Sequence, residues 1–200
     1  MERRVRLHSK YLVYHLILIC IWLSSCLEQT SPKASLPTIN ALGLKLVTRQ
    51  GFTYINDTPV SAMVYGLYLN QDTGMEVPYR KGKIDGQARY WYENKQLKEI
   101  RNYVNGWQEG VARSWWPNGR LKFEYNFAND MYEGTVNEWT DSGIPYKQMH
   151  YKKGQEEGEQ KLWFENGLLR SNYVITNGRR YGLLGTKNCV NVSDSVFSNP

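Results

Sequence analysis

The side chains able to do chemistry recur on a fixed interval. Asp85, Glu109, Glu133 and Glu157 stand 24 residues apart. Each precedes a glycine, Gly86, Gly110, Gly134 or Gly158, with Gly182 one step on and Ala62 one step before. Five residues after the four glycines stand Trp91, Trp115, Trp139 and Trp163. A carboxylate column suggests a cation site. One ion, however, needs several ligands at about 2.0–2.6 Å, and copies two strands apart lie about 9.5 Å from each other. No metal site and no cofactor are therefore expected, and the acids read as solvated groups flanking turns. The indole column Trp91, Trp115, Trp139 and Trp163 is the best binding candidate. It could present an aromatic strip to a ligand, or each ring could pack under a cross-strand Lys98, Lys122 or Arg170 as a cation–π pair.

No catalytic residues are expected. His150 falls opposite Glu157 by the turn register, which reads as a surface pair. A hydrolytic dyad would also need a nucleophile and an oxyanion site, and there is no G-x-S-x-G. Cys189 reads as a buried thiol near the C-terminus.

The N-terminus carries chemistry of another kind. Arg3, Arg4, Arg6 and Lys10 precede a mostly apolar run from Tyr11 to Leu23, too short to span a bilayer comfortably. Leu23-Ser24-Ser25-Cys26 follows and resembles the lipobox of bacterial lipoproteins. The resemblance implies cleavage before Cys26 and lipidation of that residue. It also implies a lipid-anchored place in the bacterial cell envelope. Leu27 is not the acidic residue linked to inner-membrane retention, which points to the outer membrane. Removing residues 1–25 takes away Arg3, Arg4, Arg6, Lys10 and Glu2, so the net charge falls from +6 to +3. Nucleic acid is thereby disfavoured as a partner. With Cys20 gone and Cys26 lipidated, Cys189 is the last ordinary thiol, which excludes an internal disulfide framework.

The elements that must position these residues follow from the repeat. Asn118-Gly119 and Asn166-Gly167 sit between β-type runs and predict two-residue type I′ hairpins. Asn94-Lys95 and Ser142-Gly143 hold the same slot. A second turn recurs at Asn105-Gly106, Lys153-Gly154 and Asn177-Gly178, with Asp130 where that glycine is lost. The expected fold is all-β, an up-and-down antiparallel meander of tandem 24-residue hairpins in a single-layer, solenoid-like sheet. The register pairs Trp116 with Leu121, Ala112 with Tyr125, Gly110 with Phe127, Gly86 with Tyr103, Tyr92 with Leu97, and Phe164 with Leu169. This makes one face apolar, with rings covering bare glycine backbone. The other face pairs Trp91 with Lys98, Trp115 with Lys122, and Trp163 with Arg170.

Gly106-Trp107-Gln108-Glu109-Gly110 through Trp115-Trp116-Pro117-Asn118-Gly119 resembles the MORN-repeat variant, and looks like the YwqK-type antitoxin family in an exported form. The resemblance covers roughly residues 51–182 and implies a β-hairpin array that binds protein. It carries over no catalytic residue.

The organisation expected is a signal peptide over 1–25, a lipid-anchored tether and opening strand over 26–50, repeats over 51–182 and a C-terminal cap over 183–200. The function expected is non-enzymatic: a membrane-tethered module for an unknown protein partner in the envelope, with immunity or antitoxin action as a sub-case. The alternative is an aromatic carbohydrate or cell-wall binder.

Overall fold

A computed structural model describes residues 35–185 of the chain. Among the described residues every helical or extended element is a strand. Four short strands come first: β1 (Thr38–Asn40), β2 (Leu46–Arg49), β3 (Phe52–Ile55) and β4 (Thr58–Pro59). The sequence boundary at residue 50 falls inside the turn between β2 and β3. The repeats follow as long hairpins. They pair β5 (Ala62–Leu67) with β6 (Thr73–Arg80), β8 (Gly86–Trp91) with β9 (Leu97–Val104), and β11 (Gly110–Trp115) with β12 (Leu121–Ala128). They continue with β14 (Gly134–Trp139) and β15 (Pro145–Lys152), then β16 (Gln155–Trp163) and β17 (Leu169–Thr176). Two-residue strands β7 (Lys83–Ile84), β10 (Trp107–Gln108) and β13 (Met131–Tyr132) lead into the next copy, and β18 (Arg179–Leu183) ends the array.

The long strands form one open sheet in chain order from β5 to β18, all antiparallel, as the 24-residue period predicts. Two features depart from a pure single-layer meander. β1 pairs with β5 in parallel, and β2, β3 and β4 make a separate three-stranded sheet. Leu46 and Ile55 of that small sheet, with Ile39 and Tyr79, pack on Val60, Ala62 and Val64. This buried apolar cluster covers the degenerate first repeat. The signal segment, Cys26, most of the tether, Cys189 and most of the cap lie outside the described residues.

The type I′ turns expected at the hairpin tips lie between the repeats instead. Asn105-Gly106 and Lys153-Gly154 between the repeats have positive φ at both residues, 51° and 91° in the first, as type I′ demands. At the hairpin tips only Gly119 of Asn118-Gly119 is left-handed. There Gly119 N–H donates to the Trp116 carbonyl at 2.8 Å and Trp116 N–H to the Arg120 carbonyl at 2.8 Å. This is a type I turn followed by a left-handed residue in a bulge. The same turn closes the tips at Tyr92, Thr140 and Phe164, where Glu93, Asp141 and Glu165 stand in the place of Pro117; the φ of proline suits the first central position of type I and is compatible with this turn.

The longer tip shifts the register. Gly110–Phe127, Ala112–Tyr125 and Gly86–Tyr103 pair as expected, but Trp115 pairs with Leu121 and leaves Lys122 bulged out of the ladder. The Trp115–Lys122, Trp91–Lys98 and Trp163–Arg170 pairs do not form; Trp91 faces Leu97 and Trp163 faces Leu169. The Trp116–Leu121, Tyr92–Leu97 and Phe164–Leu169 pairs are lost for the same reason.

The glycine column has a different cause from ring cover. Between β9 and its neighbours the register changes by two residues across Glu109-Gly110, and Gly110 adopts φ +72° with open space where a Cβ would stand. The acid–glycine pairs are therefore bulges in which glycine supplies the left-handed backbone.

A fully buried column runs through the array at the same period: Val64, Ala88, Ala112, Val136 and Gln160, none more than 2% exposed. Beside it on the same face stand Phe123, Tyr125, Phe127, Tyr132 and Tyr151, in ring contact from one to the next.

Candidate functional site: an aromatic groove at the hairpin tips

Two edges of the sheet are stitched by different hydrogen bonds, and each follows the 24-residue period. At the inter-repeat turns the acidic column does structural duty. Glu109 accepts from the backbone N–H of Asn129 at 3.0 Å, and Glu133 from that of Lys153 at 2.7 Å. Ser61 takes the same role toward Lys81 at 2.8 Å in the degenerate first copy. Asp130, where the glycine is lost, accepts from the Gln108 N–H. Among the described residues no group of His, Cys, Asp or Glu gathers to hold a metal. His150 lies in the bulged interval opposite residues 157–159, with its Nδ1 3.4 Å from the Thr135 hydroxyl.

At the hairpin tips each repeat reaches the next through an aromatic side chain. Tyr68 hydroxyl donates to the Trp91 carbonyl at 2.7 Å, and Tyr92 hydroxyl to the Trp115 carbonyl at 2.9 Å. Trp116 Nε1–H donates to the Trp139 carbonyl at 3.1 Å. The amides of Asn94 and Asn118 repeat the move toward the Pro117 and Asp141 carbonyls. Because of the register shift, the bulged cation lies over this tip ring and not over the indole column. Lys98 sits 5.5 Å from the Tyr92 ring centre, Lys122 4.4 Å from that of Trp116, and Arg170 5.9 Å from that of Phe164. Each such unit of tip ring and cation forms one rung of a ladder.

One rung differs. The position that holds Trp116 in the preceding copy is Thr140, and the position that holds Lys122 is Tyr146. The Thr140 hydroxyl turns into its own loop and accepts from the Ile144 N–H at 3.1 Å. Beside it opens a groove of about 560 Å³ walled by Trp116, Phe123, Tyr125, Trp139 and Tyr146. Its lining also holds Glu138, Asp141 and Glu165, against a single lining cation, Lys122.

Electrostatics divide these carboxylates. Glu138 accepts from the Tyr125 hydroxyl at 2.8 Å and from Lys147 Nζ at 3.0 Å. Burial first, and then that hydrogen bond, push the Tyr125 hydroxyl well above the ordinary phenol range. Burial works against the Lys147 charge, but the bond to Glu138 outweighs it and holds the ammonium above its ordinary value. Asp141 carboxylate takes the Ser142 hydroxyl at 3.2 Å. Glu165 is exposed and stands at the rim.

The four indoles singled out by the sequence are all half-buried and close their hairpins next to the bulge. They recur at the same place in successive hairpins of one sheet. Trp139 lines the groove, Trp91 lines a smaller one of about 300 Å³, and Trp115 and Trp163 line neither. Sequence reasoning missed Tyr125, Glu138, Thr140, Asp141, Tyr146 and Glu165. The signal for Thr140 and Tyr146 was the interruption of the aromatic and cation columns at those two places. Chemically the groove can stack planar groups and neutralise positive charge.

No curated protein matches the chain. The family model described as the MORN repeat variant matches residues 84–105 and 108–129, so the chain carries at least two adjacent MORN-variant repeats, of a kind that generally serves protein or membrane interaction.

Proposed function

We propose that the protein is a non-enzymatic interaction module, anchored to a membrane of the bacterial cell envelope through a lipid on Cys26, that offers the aromatic face of its repeat sheet to a protein partner. The observation that carries this reading is the groove at Thr140. A regular ladder stitches the repeats together, and at one rung it opens into an aromatic, acid-lined surface. The MORN-variant match supports it. The charged, apolar, lipobox order from Arg3 to Cys26 supports the anchor and an outer-membrane placement. An immunity or antitoxin-like action is the form this binding takes if the partner is a toxin. Affinity capture of the full-length tagged protein from native envelopes tests the reading. One protein should be retained by wild type and lost by Trp116→Ala. Retention of no protein, or equal retention by the variant, overturns it.

An envelope glycan is the second reading, favoured by Trp116, Trp139 and Tyr146 converging on one groove. Quenching or enhancement of tryptophan fluorescence by purified envelope glycan would replace the first reading with this one.

A further inference from the structure

The rungs of the ladder are related by the repeat, so each shows what the others could hold. In the copies before and after the groove, a ring and a cation fill the same space: Trp116 with Lys122, and Phe164 with Arg170. In the intervening copy the ring stands at the bulged position, Tyr146, where the two flanking copies carry the cation. Carboxylates line this rung. Glu138 is already held by Tyr125 and Lys147, and Lys122 is committed to Trp116. Asp141 has only the Ser142 hydroxyl, and Glu165 has no hydrogen bond or ion pair among the described residues. The nearby Arg120 guanidinium is bound at 3.2 Å by the Asp141 carbonyl, on the backbone side.

We propose that this rung receives an arginine side chain of the protein partner, which supplies the cation that this rung lacks. The proposal rests on the protein-binding reading above and adds the chemistry of the contact. A guanidinium is planar, stacks on aromatic faces and gives a fork of donors that suits carboxylates. Tyr146, Trp116 and Trp139 supply the faces, and Asp141 and Glu165 supply the acceptors. The flanking Phe164–Arg170 rung is the intramolecular precedent for the same stack.

The test is a titration of the full-length protein in detergent micelles with N-acetyl-argininamide, followed through the indole N–H signals of Trp116 and Trp139. A saturable shift is expected with a Kd of about 1–10 mM, the scale of a single side-chain fragment. N-acetyl-glutaminamide should leave both signals in place. Asp141→Asn with Glu165→Gln should weaken the binding at least tenfold while every ring stays. Thr140→Trp with Tyr146→Lys writes the preceding rung into this one and should abolish the shift. The carboxylate pair carries the test alone if that refilled variant melts early. An absent shift, an equal response to the glutamine analogue, or binding indifferent to the carboxylates overturns the proposal. The larger reading fails separately. If an envelope protein is still captured by the refilled variant, protein binding stands and the arginine slot falls; if wild type captures none, both fall.

Discussion

The indole N–H of Trp116 donates to the backbone carbonyl of Trp139, 23 residues on, at 3.1 Å. One bond thus ties two successive hairpins at their tips and forms a wall of the groove. Trp116→Phe keeps the ring and removes the donor, leaving that carbonyl without this bond, and should cost about 1 kcal/mol. Trp116→Ala also removes the stack under Lys122. It should cost roughly 2 kcal/mol or more, below the roughly 3–5 kcal/mol of a fully buried ring because Trp116 is half-exposed. Chemical denaturation of the two variants checks the order. A larger loss for the phenylalanine variant would contradict the packing described.

The turn-capping acids give a second expectation. Glu133→Ala leaves the Lys153 N–H without its carboxylate and should destabilise by about 1–2 kcal/mol, since a charge-assisted bond is lost. Glu165→Ala, with no bond to lose, should stay within about 0.5 kcal/mol. Equal losses would show that the acidic column is only solvated charge.

Two glycines separate backbone strain from crowding. Gly110 has φ +72° and nothing near a Cβ, so Gly110→Ala should cost only the left-handed penalty, about 1–2 kcal/mol. At Gly182, φ is +120° and a Cβ would lie 2.6 Å from the Asn172 carbonyl oxygen. Gly182→Ala must therefore move β17 or β18 and should be the more destabilising of the two in urea titrations. The reverse order would place the ring-covered-glycine explanation back in contention.

Alkaline pH should loosen the array. Burial raises the hydroxyls of Tyr90, Tyr103 and Tyr125, and Glu138 adds to the rise at Tyr125. A folded-state value above the unfolded one means that the folded chain keeps its proton longer. The stabilisation is then complete below the ordinary phenol value of about pH 10 and is lost as pH rises beyond it. Melting temperature should fall steeply above about pH 10, and Tyr125→Phe should blunt the fall. A flat profile across that window, or one unchanged in the variant, contradicts the burial described.

Much of the fold was legible because the period is a strong constraint. Antiparallel order, the Gly110–Phe127 and Ala112–Tyr125 pairs and the paired turns of each repeat follow from a 24-residue spacing of glycines and aromatics. The tip register was not, because Asn-Gly serves both a two-residue type I′ loop and the last two positions of a longer type I loop. Pro117 alone distinguishes them in one copy. Lys95, left-handed at φ 66° without being glycine, conceals the turn in another. That single-residue slip moved each cation from the Trp91, Trp115 and Trp163 column to Tyr92, Trp116 and Phe164. The parallel pairing of β1 was illegible for another reason. It joins Thr38–Asn40 to Met63–Tyr65 across a separate sheet, and three residues carry no pattern that names a partner.

Photo-crosslinking in intact envelopes tests the interaction surface most directly. A benzoylphenylalanine placed at Tyr146, inside the groove, is compared with one at Leu42, an exposed residue before β2. The groove position should yield a discrete protein adduct that the Leu42 position does not, and Trp116→Ala should reduce it at least tenfold. No protein adduct from Tyr146, or the same adducts from both positions, would contradict a partner held on the aromatic face.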